Sequence, residues 1–278
     1  MHHFTHGRPM DLLLNLHTLP AIAAYAVFML AGGASAALAC ALLAPIVRAP
    51  QTKEMLDVAM RTTGAVTAAL TLTLAFCAVQ ARSHKTDADR AVRTETAAIA
   101  GFARVAARAG AAGEALQPAI RDYVRSIAAD EFHTMTASGR SPATQRLAEA
   151  LEEAAYAAAA GLGQSLADDM LQEMDAVEAA REGRLHAAAI HLPREFWLLI
   201  LLLFSLVVAT GPLYPARAHV IAMLGIQAAG LSALIAFLFL IERPFHGVMA
   251  LSPEPYHTLD HALGLRADPL RHVRTLRH

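Results

Sequence analysis

Four long runs without a single Asp, Glu, Lys or Arg divide the chain. They are Ala21–Val47, Thr62–Ala81, Phe196–Gly211 and Val220–Ile241. Crossing a bilayer as a helix takes about 20 apolar residues. The first, second and fourth runs meet that length, and the third meets it only if the residues around Leu192 join it. Four such runs in one chain are rare among buried helices of soluble proteins, so the pattern predicts four membrane-spanning helices. The first run starts late, is long and has no basic stretch before it, which reads as a retained span rather than a cleaved leader. Leu12–Leu16 reads as a short interfacial helix ahead of it.

Between the second and third runs the pattern changes from uniformly apolar to amphipathic. This stretch is rich in Ala and poor in Gly and Pro, so long helices are expected. Nothing between Ala81 and Gly101 would stop a helix, so the second span should continue straight into it. A further helix is expected near Leu116–Thr136. Another starts with Ser141 as N-cap and Pro142 in its first turn and runs to about Ala189, with a break near Gly161. Leu147, Leu151, Ala154, Ala158, Leu162, Met170, Met174, Val177 and Leu185 form its apolar stripe at spacings of three and four. Glu149, Glu152, Glu153, Asp168, Asp169, Glu173, Asp175, Glu178 and Glu182 crowd the same segment, as a solvated face or as the lining of a vestibule.

Composition agrees with this division. The chain has 278 residues, 55% of them hydrophobic, and its formal net charge is −1. A soluble domain sits nearer 45–50% apolar, and a net charge so small gives no general field for nucleic acid. An even number of spans puts both termini and the long middle segment on one side. That side carries Arg8, Arg82, Lys85, Arg90, Arg93, Arg181, Arg184, Arg194, Arg243, Arg266, Arg271, Arg274 and Arg277. The opposite side has only Arg48, Lys53, Arg61 and Arg217, in loops over 48–61 and 212–219. The positive-inside rule assigns the richer side to the cytoplasm, and the expected location is a bacterial inner membrane. Cys40 and Cys77 fall inside spans and read as small packing residues rather than a disulfide.

Catalytic chemistry is hard to find. The chain has no phosphate-cradling glycine loop, no CxxC, no HExxH and no nucleophile elbow, so no enzyme and no cofactor is expected. His257 and His261, four apart near Glu254 and Asp260, share a helix face. They lack a clear third ligand, so no metal site is assigned. The second span has one mixed face, in which Thr73, Phe76, Gln80 and His84 follow one another at spacings of three and four. That face either meets water or packs on another span. At the end of the fourth span, "IERPFHGVMALSPEP" breaks the helix. Arg243 is placed to meet the helix C-terminal carbonyls and Glu242 to pair with a neighbouring Arg. Pro244 ends the helix, Gly247 permits a bend, and Pro253 and Pro255 favour extended chain. The segment is expected to turn back over the cytoplasmic helices or a neighbouring subunit.

The order span, span, long helices, span, span, broken tail resembles bestrophins. The residues more closely resemble a family of bacterial membrane proteins with a bestrophin-like domain. "AVRTETAAIAGFARVA" is similar to that family's Ala-rich helix with a central acid, here Glu95. "AIRDYVRSIAADEF" is similar to its Tyr…Glu-Trp stretch, giving Glu131, with Phe132 where Trp is usual. "AREGRLHAAAIHLPREFW" is similar to its Arg-Leu…Pro…Trp approach to the third span, giving Arg184 and Pro193. "IERPFHG" is similar to its Asp-Arg-Pro-Phe-x-Gly exit, giving Glu242 in place of Asp, then Arg243, Pro244, Phe245 and Gly247. The resemblance implies an all-α fold of four transmembrane helices in two pairs, with a long-helix cytoplasmic domain inserted between spans two and three. It divides the chain into 1–81, 82–191, 192–243 and a tail 244–278. It implies an oligomeric channel, a pentamer as in bestrophins, passing small anions, with Thr73, Phe76, Gln80 and His84 lining the pore. The calcium clasp of animal bestrophins has no counterpart. The alternative is a non-conducting membrane-anchored helical sensor or scaffold. The partners expected are the bilayer, copies of the same chain and small inorganic ions.

Overall fold

The computed structural model describes residues 20–47, 52–135 and 139–267. The segment expected as an interfacial helix, Leu12–Leu16, lies outside them. The described chain is helical without strands: α1 Ala21–Val47, α2 Lys53–Arg108, α3 Ala111–Ser126, α4 Pro142–Ala159, α5 Gln164–Ala189, α6 Arg194–Thr210, α7 Ala218–Ile241 and α8 Glu254–Ala267. A π-helical turn, Ile127–Glu131, extends α3 toward a last turn at Phe132–Thr134. Among the described residues four helices are long and apolar enough to cross a membrane.

Several expectations shift in detail. The second span does not begin after a loop over 48–61: its helix already starts at Lys53. Its 56 residues correspond to about 84 Å of axis, far more than a hydrocarbon core of about 30 Å. α6 has 17 residues, about 26 Å. The 3₁₀ turn Gly211–Leu213 adds about 6 Å, which brings the third span to bilayer length. The break near Gly161 is present as the gap between α4 and α5. Ser141 caps α4: its Oγ accepts from the Ala143 and Thr144 amides at 3.2 Å. The second helix of the middle segment starts five residues earlier than Leu116, and residue 136 is not described. Pro253 and Pro255 do not hold extended chain, because Pro255 sits in the first turn of α8, where a missing amide costs nothing.

The chain divides into two compact units. The first runs up to Ser83 and includes His191–Arg243 and Gly247–Met249. There α1 meets α7 through small residues. A Cβ on Gly32 would lie 1.8 Å from Ser232 Oγ, and one on Gly33 would lie 3.0 Å from the Gly225 carbonyl. Close approach through small side chains is how helices associate where lipid removes the hydrophobic drive. Leu70, Leu74, Cys77, Ile200, Val207, Leu231, Ile235 and Leu238 make the core of this unit. Polar groups within it find partners: Thr63 Oγ1 and Tyr214 OH lie 3.0 Å apart, and Gln227 Nε2 donates to Thr67 Oγ1 at 3.0 Å. The two cysteines are buried and unpaired.

The second unit comprises His84–Ile190, Pro244–His246 and the chain from Ala250 on. Its core joins the later part of α2 to α3, α4, α5 and α8, with Phe102, Ile120, Leu151, Met170 and Tyr256 fully buried. Phe132 packs edge-on to Phe245 at 5.4 Å and to Tyr256 at 5.7 Å. Gly247 has φ +86°, a left-handed conformation that favours glycine. The Leu251 amide donates to the Pro244 carbonyl at 2.7 Å, closing the bend before α8.

Candidate functional site

The middle of the second unit holds four charges with almost no access to water. Glu95, Glu131 and Arg184 are 0% exposed and Arg181 is 4% exposed. On α2, Glu95 falls in register with Ala88, Val92, Ile99 and Phe102, all buried. On α5, Arg181 and Arg184 continue the buried row of Met170, Met174 and Val177. The π turn presents Glu131 to the same centre. Each helix therefore aims a charged side chain along its core-facing row.

The geometry leaves no carboxylate oxygen unmet. Arg184 bonds Glu95 through Nε–Oε2 and, at 3.2 Å, through Nη2–Oε1. Its Nη2 also donates to Glu131 Oε2 at 2.5 Å and its Nη1 to Met135 Sδ at 2.8 Å. Arg181 donates from Nη2 to Glu131 Oε1 and from Nη1 to Gln145 Oε1, both at 2.7 Å. Tyr123 donates to Glu95 Oε1 at 3.2 Å, and the Tyr256 hydroxyl donates to Glu95 Oε2. The Arg184 guanidinium stands 6.0 Å from the Tyr256 ring centroid. Two carboxylates face two guanidiniums, so the cluster is formally neutral. That is the condition under which charges remain ionised in a low-dielectric interior.

The titration behaviour follows from these contacts. Burial pushes the Glu131 carboxyl up, but Arg184 and Arg181 together hold it below the usual carboxylate range. Burial, then Glu95, pushes the Tyr123 and Tyr256 hydroxyls well above their ordinary value. Burial works against the Arg184 charge, yet Glu95 and Glu131 raise its pKa well above normal. The cluster can therefore hold α2, α3, α5 and α8 in one arrangement. It offers no free base or nucleophile.

α8 is fixed a second time by Asp260, which accepts from Arg121 Nε and Arg125 Nε at 3.0 Å each. His257 and His261 stand exposed on that helix. Among the described residues no three His, Cys, Asp or Glu side chains come together as a metal site.

The face proposed for the second span is a shoulder of its helix. Leu70, Leu74, Cys77 and Ala81 are the packed row. Opposite them Leu72 is 74% and Val79 69% exposed. Thr73 and Gln80 are half-buried beside that row, Phe76 is 52% exposed, and its ring lies 6.0 Å from Phe196. Thr73 Oγ1 donates to the Ala69 carbonyl at 2.9 Å. His84 is half-buried, with its Nδ1 buried and lacking a hydrogen-bond partner.

The profile of the Bestrophin-like domain matches residues 31–256, from the first span to Tyr256. The chain belongs to the bestrophin-like domain family. Two crystal structures of membrane proteins resemble it. One has a TM-score of 0.64 at 13% identity and covers 87% of this chain and 98% of its own. The other has a TM-score of 0.59 at 15% identity and covers 87% and 95%. At such identities the likeness shows the fold alone. No functionally curated protein matches.

Within this bestrophin-like domain the residues carried by family resemblance have definite places. Glu95, Glu131 and Arg184 meet in one cluster, although they lie on three separate helices. Pro193 is the N-cap of α6. Glu242 caps α7 and accepts from Trp197 Nε1 at 3.1 Å. Among the described residues it has no Arg partner, which corrects the expected pairing: an indole at the start of α6 reaches it instead. Arg243 is half-buried and directly follows the C-cap of α7. Pro244 and Phe245 are buried in the second unit. Tyr123, the Tyr of the Tyr…Glu stretch, completes the cluster with Gln145, Arg181 and Tyr256, and these last three were not singled out from sequence. The signal was available: Arg181 sits seven residues after Met174 and four after Val177, on the apolar stripe itself. A charge at a stripe position needs a partner of opposite sign at another.

Proposed function

We propose that this bestrophin-like domain is an oligomeric ion channel, a ring of copies in which the second spans surround the conducting path. Small anions are the proposed cargo. Thr73, Phe76, Gln80 and His84 line the path, with Phe76 as a hydrophobic constriction that opens and closes by wetting. The proposed setting is a bacterial inner membrane with termini and inserted helices in the cytoplasm, and the proposed ring is a pentamer.

The observation that carries the reading is the family assignment over four helices of membrane length. It is supported by the second span's outward side, where among the described residues Leu72 and Val79 stand exposed and Phe76 is half covered beside Phe196. Arg82, His84 and Lys85 follow that span directly, and clustered positive charge favours anions.

The test is flux from purified protein in liposomes. We expect chloride efflux, and Phe76→Ala should raise it several-fold by removing the dewetting ring. Absence of chloride, sodium and potassium flux in both wild type and Phe76→Ala would overturn the channel and leave a membrane-anchored scaffold.

A further inference from the structure

Two polar side chains inside the first unit keep hydrogen-bonding capacity that their own chain leaves unused. Gln227 Nε2 donates to Thr67 Oγ1 at 3.0 Å. Among the described residues nothing meets the second amide hydrogen of Gln227 or its Oε1. Thr67 differs from the threonines around it. Thr63, Thr71 and Thr73 each donate to the carbonyl four residues earlier, at 2.8–2.9 Å. Thr67 Oγ1 turns to α7 instead, and its own hydrogen meets no acceptor among the described residues. Both side chains are only half-buried, and both lie within uncharged runs of membrane length. Lipid chains offer neither donors nor acceptors, so polar side chains in spans turn to protein or to water.

A matching group stands elsewhere on the same unit. Ser205 is exposed on the outward row of α6, among Leu198, Leu201 and Leu202. Its Oγ donates to the Leu201 carbonyl at 2.7 Å, which leaves the lone pairs of that oxygen free to accept. The depths agree. Gln227 follows Val220 by seven residues, Thr67 follows Thr62 by five and Ser205 precedes Gly211 by six. Those three ends of the uncharged runs are on the side of the 212–219 connection. At 1.5 Å per residue the three groups sit about 8–11 Å in from that side. Among the described residues Ser205 and Gln227 share no bond.

We propose that the Thr67–Gln227 seam of one copy packs against the Ser205 row of a second copy, with Gln227 donating its second amide hydrogen to that Ser205 Oγ. Two different faces of the chain then meet, a head-to-tail contact of the kind that closes rings. Hydrogen bonds between polar side chains hold helices together in lipid. The inference rests on the reading that copies form a ring, and adds which faces meet.

The experiment is cysteine cross-linking of the full-length protein in liposomes, in a Cys40→Ala/Cys77→Ala background. After copper-phenanthroline oxidation, Ser205→Cys/Gln227→Cys should give a ladder of covalent oligomers on a denaturing gel. Either single substitution should give monomer alone. With the native cysteines kept, Gln227→Leu should dissociate at about tenfold higher protein concentration than wild type, read by light scattering in detergent. No ladder from the double variant overturns the proposal. Labelling of Gln227→Cys by a water-soluble maleimide would then show a seam facing water, and protection would show one facing lipid. A ladder from either single variant overturns the head-to-tail pairing, and unchanged dissociation of Gln227→Leu overturns the bond. Because the readout is assembly, a ladder without ion flux would remove the channel and keep this contact. Flux without a ladder would do the reverse.

Discussion

Arg184 is the residue on which most contacts converge, since it bridges Glu95, Glu131 and Met135 while fully buried. Replacing it by Met preserves length and removes the charge, which leaves two carboxylates facing each other beside Arg181. Breaking a buried pair from one side costs about 3–5 kcal/mol, so Arg184→Met should lower the Tm sharply in a thermal melt of the solubilised protein. An unchanged Tm would show that the cluster contributes nothing. The double replacement Glu95→Gln/Arg184→Met should recover part of the loss, because Glu131 keeps its partner Arg181 and no unpaired carboxylate remains facing the methionine. Glu95, Glu131 and Arg184 were legible only through family resemblance. Arg181 and Tyr256 were not, because their meaning lies in contacts 50 and 161 residues apart along the chain, which no local pattern encodes. What local pattern does encode is the anomaly of a charge on a buried row.

At the scale of elements, helix crossings set the tightest constraints. A Cβ on Gly113 at the start of α3 would lie 1.6 Å from the Ala106 carbonyl oxygen of α2, a backbone atom that cannot swing aside. Overpacking of this kind typically costs about 1–3 kcal/mol. At the α1–α7 crossing the nearest obstacle to a Gly32 Cβ is the Ser232 side chain, so Gly32→Ala should destabilise the first unit and Ser232→Gly should relieve it. Coupling of the two in a double-mutant cycle by thermal melting checks the crossing, and additive effects would contradict it. Element boundaries were legible where the chain carries explicit signals, as at Ser141–Pro142 and the Gly161–Gly163 gap. The start of α2 at Lys53 was not. "KEMLDVAMR" is polar enough to close an apolar run but has nothing to break a helix, and the limits of the lipid and of the helix are different boundaries.

For the whole molecule, the four described helices long and apolar enough to cross a membrane follow from four uncharged runs, the strongest signal a sequence carries. The buried acid–base cluster then sets how the assembled protein responds to pH. Glu131 and Asp260 both have pKa values held below the ordinary carboxylate range: burial opposes this, and their arginine partners prevail. Their contribution to stability is present above the unfolded-state values near 4 and is lost as pH falls through the lower folded values, because the unfolded chain takes up the protons first. Tyr123 and Tyr256 are shifted the other way by burial and by Glu95. Their contribution is intact below about pH 10 and falls as pH rises further, since only the unfolded chain then ionises. Stability should therefore hold level between about pH 5 and 10 as far as these groups are concerned. Outside that window it should decline by about 1.4 kcal/mol per pH unit for each proton exchanged. Thermal melts of the solubilised protein across pH read both limbs. Glu131→Gln should make the acid limb shallower, leaving the share of Asp260, and Tyr256→Phe should do the same to the alkaline limb, leaving the share of Tyr123. A Tm at pH 3 equal to that at pH 7 would mean that Glu131 and Asp260 are not held by their arginines when the protein is folded.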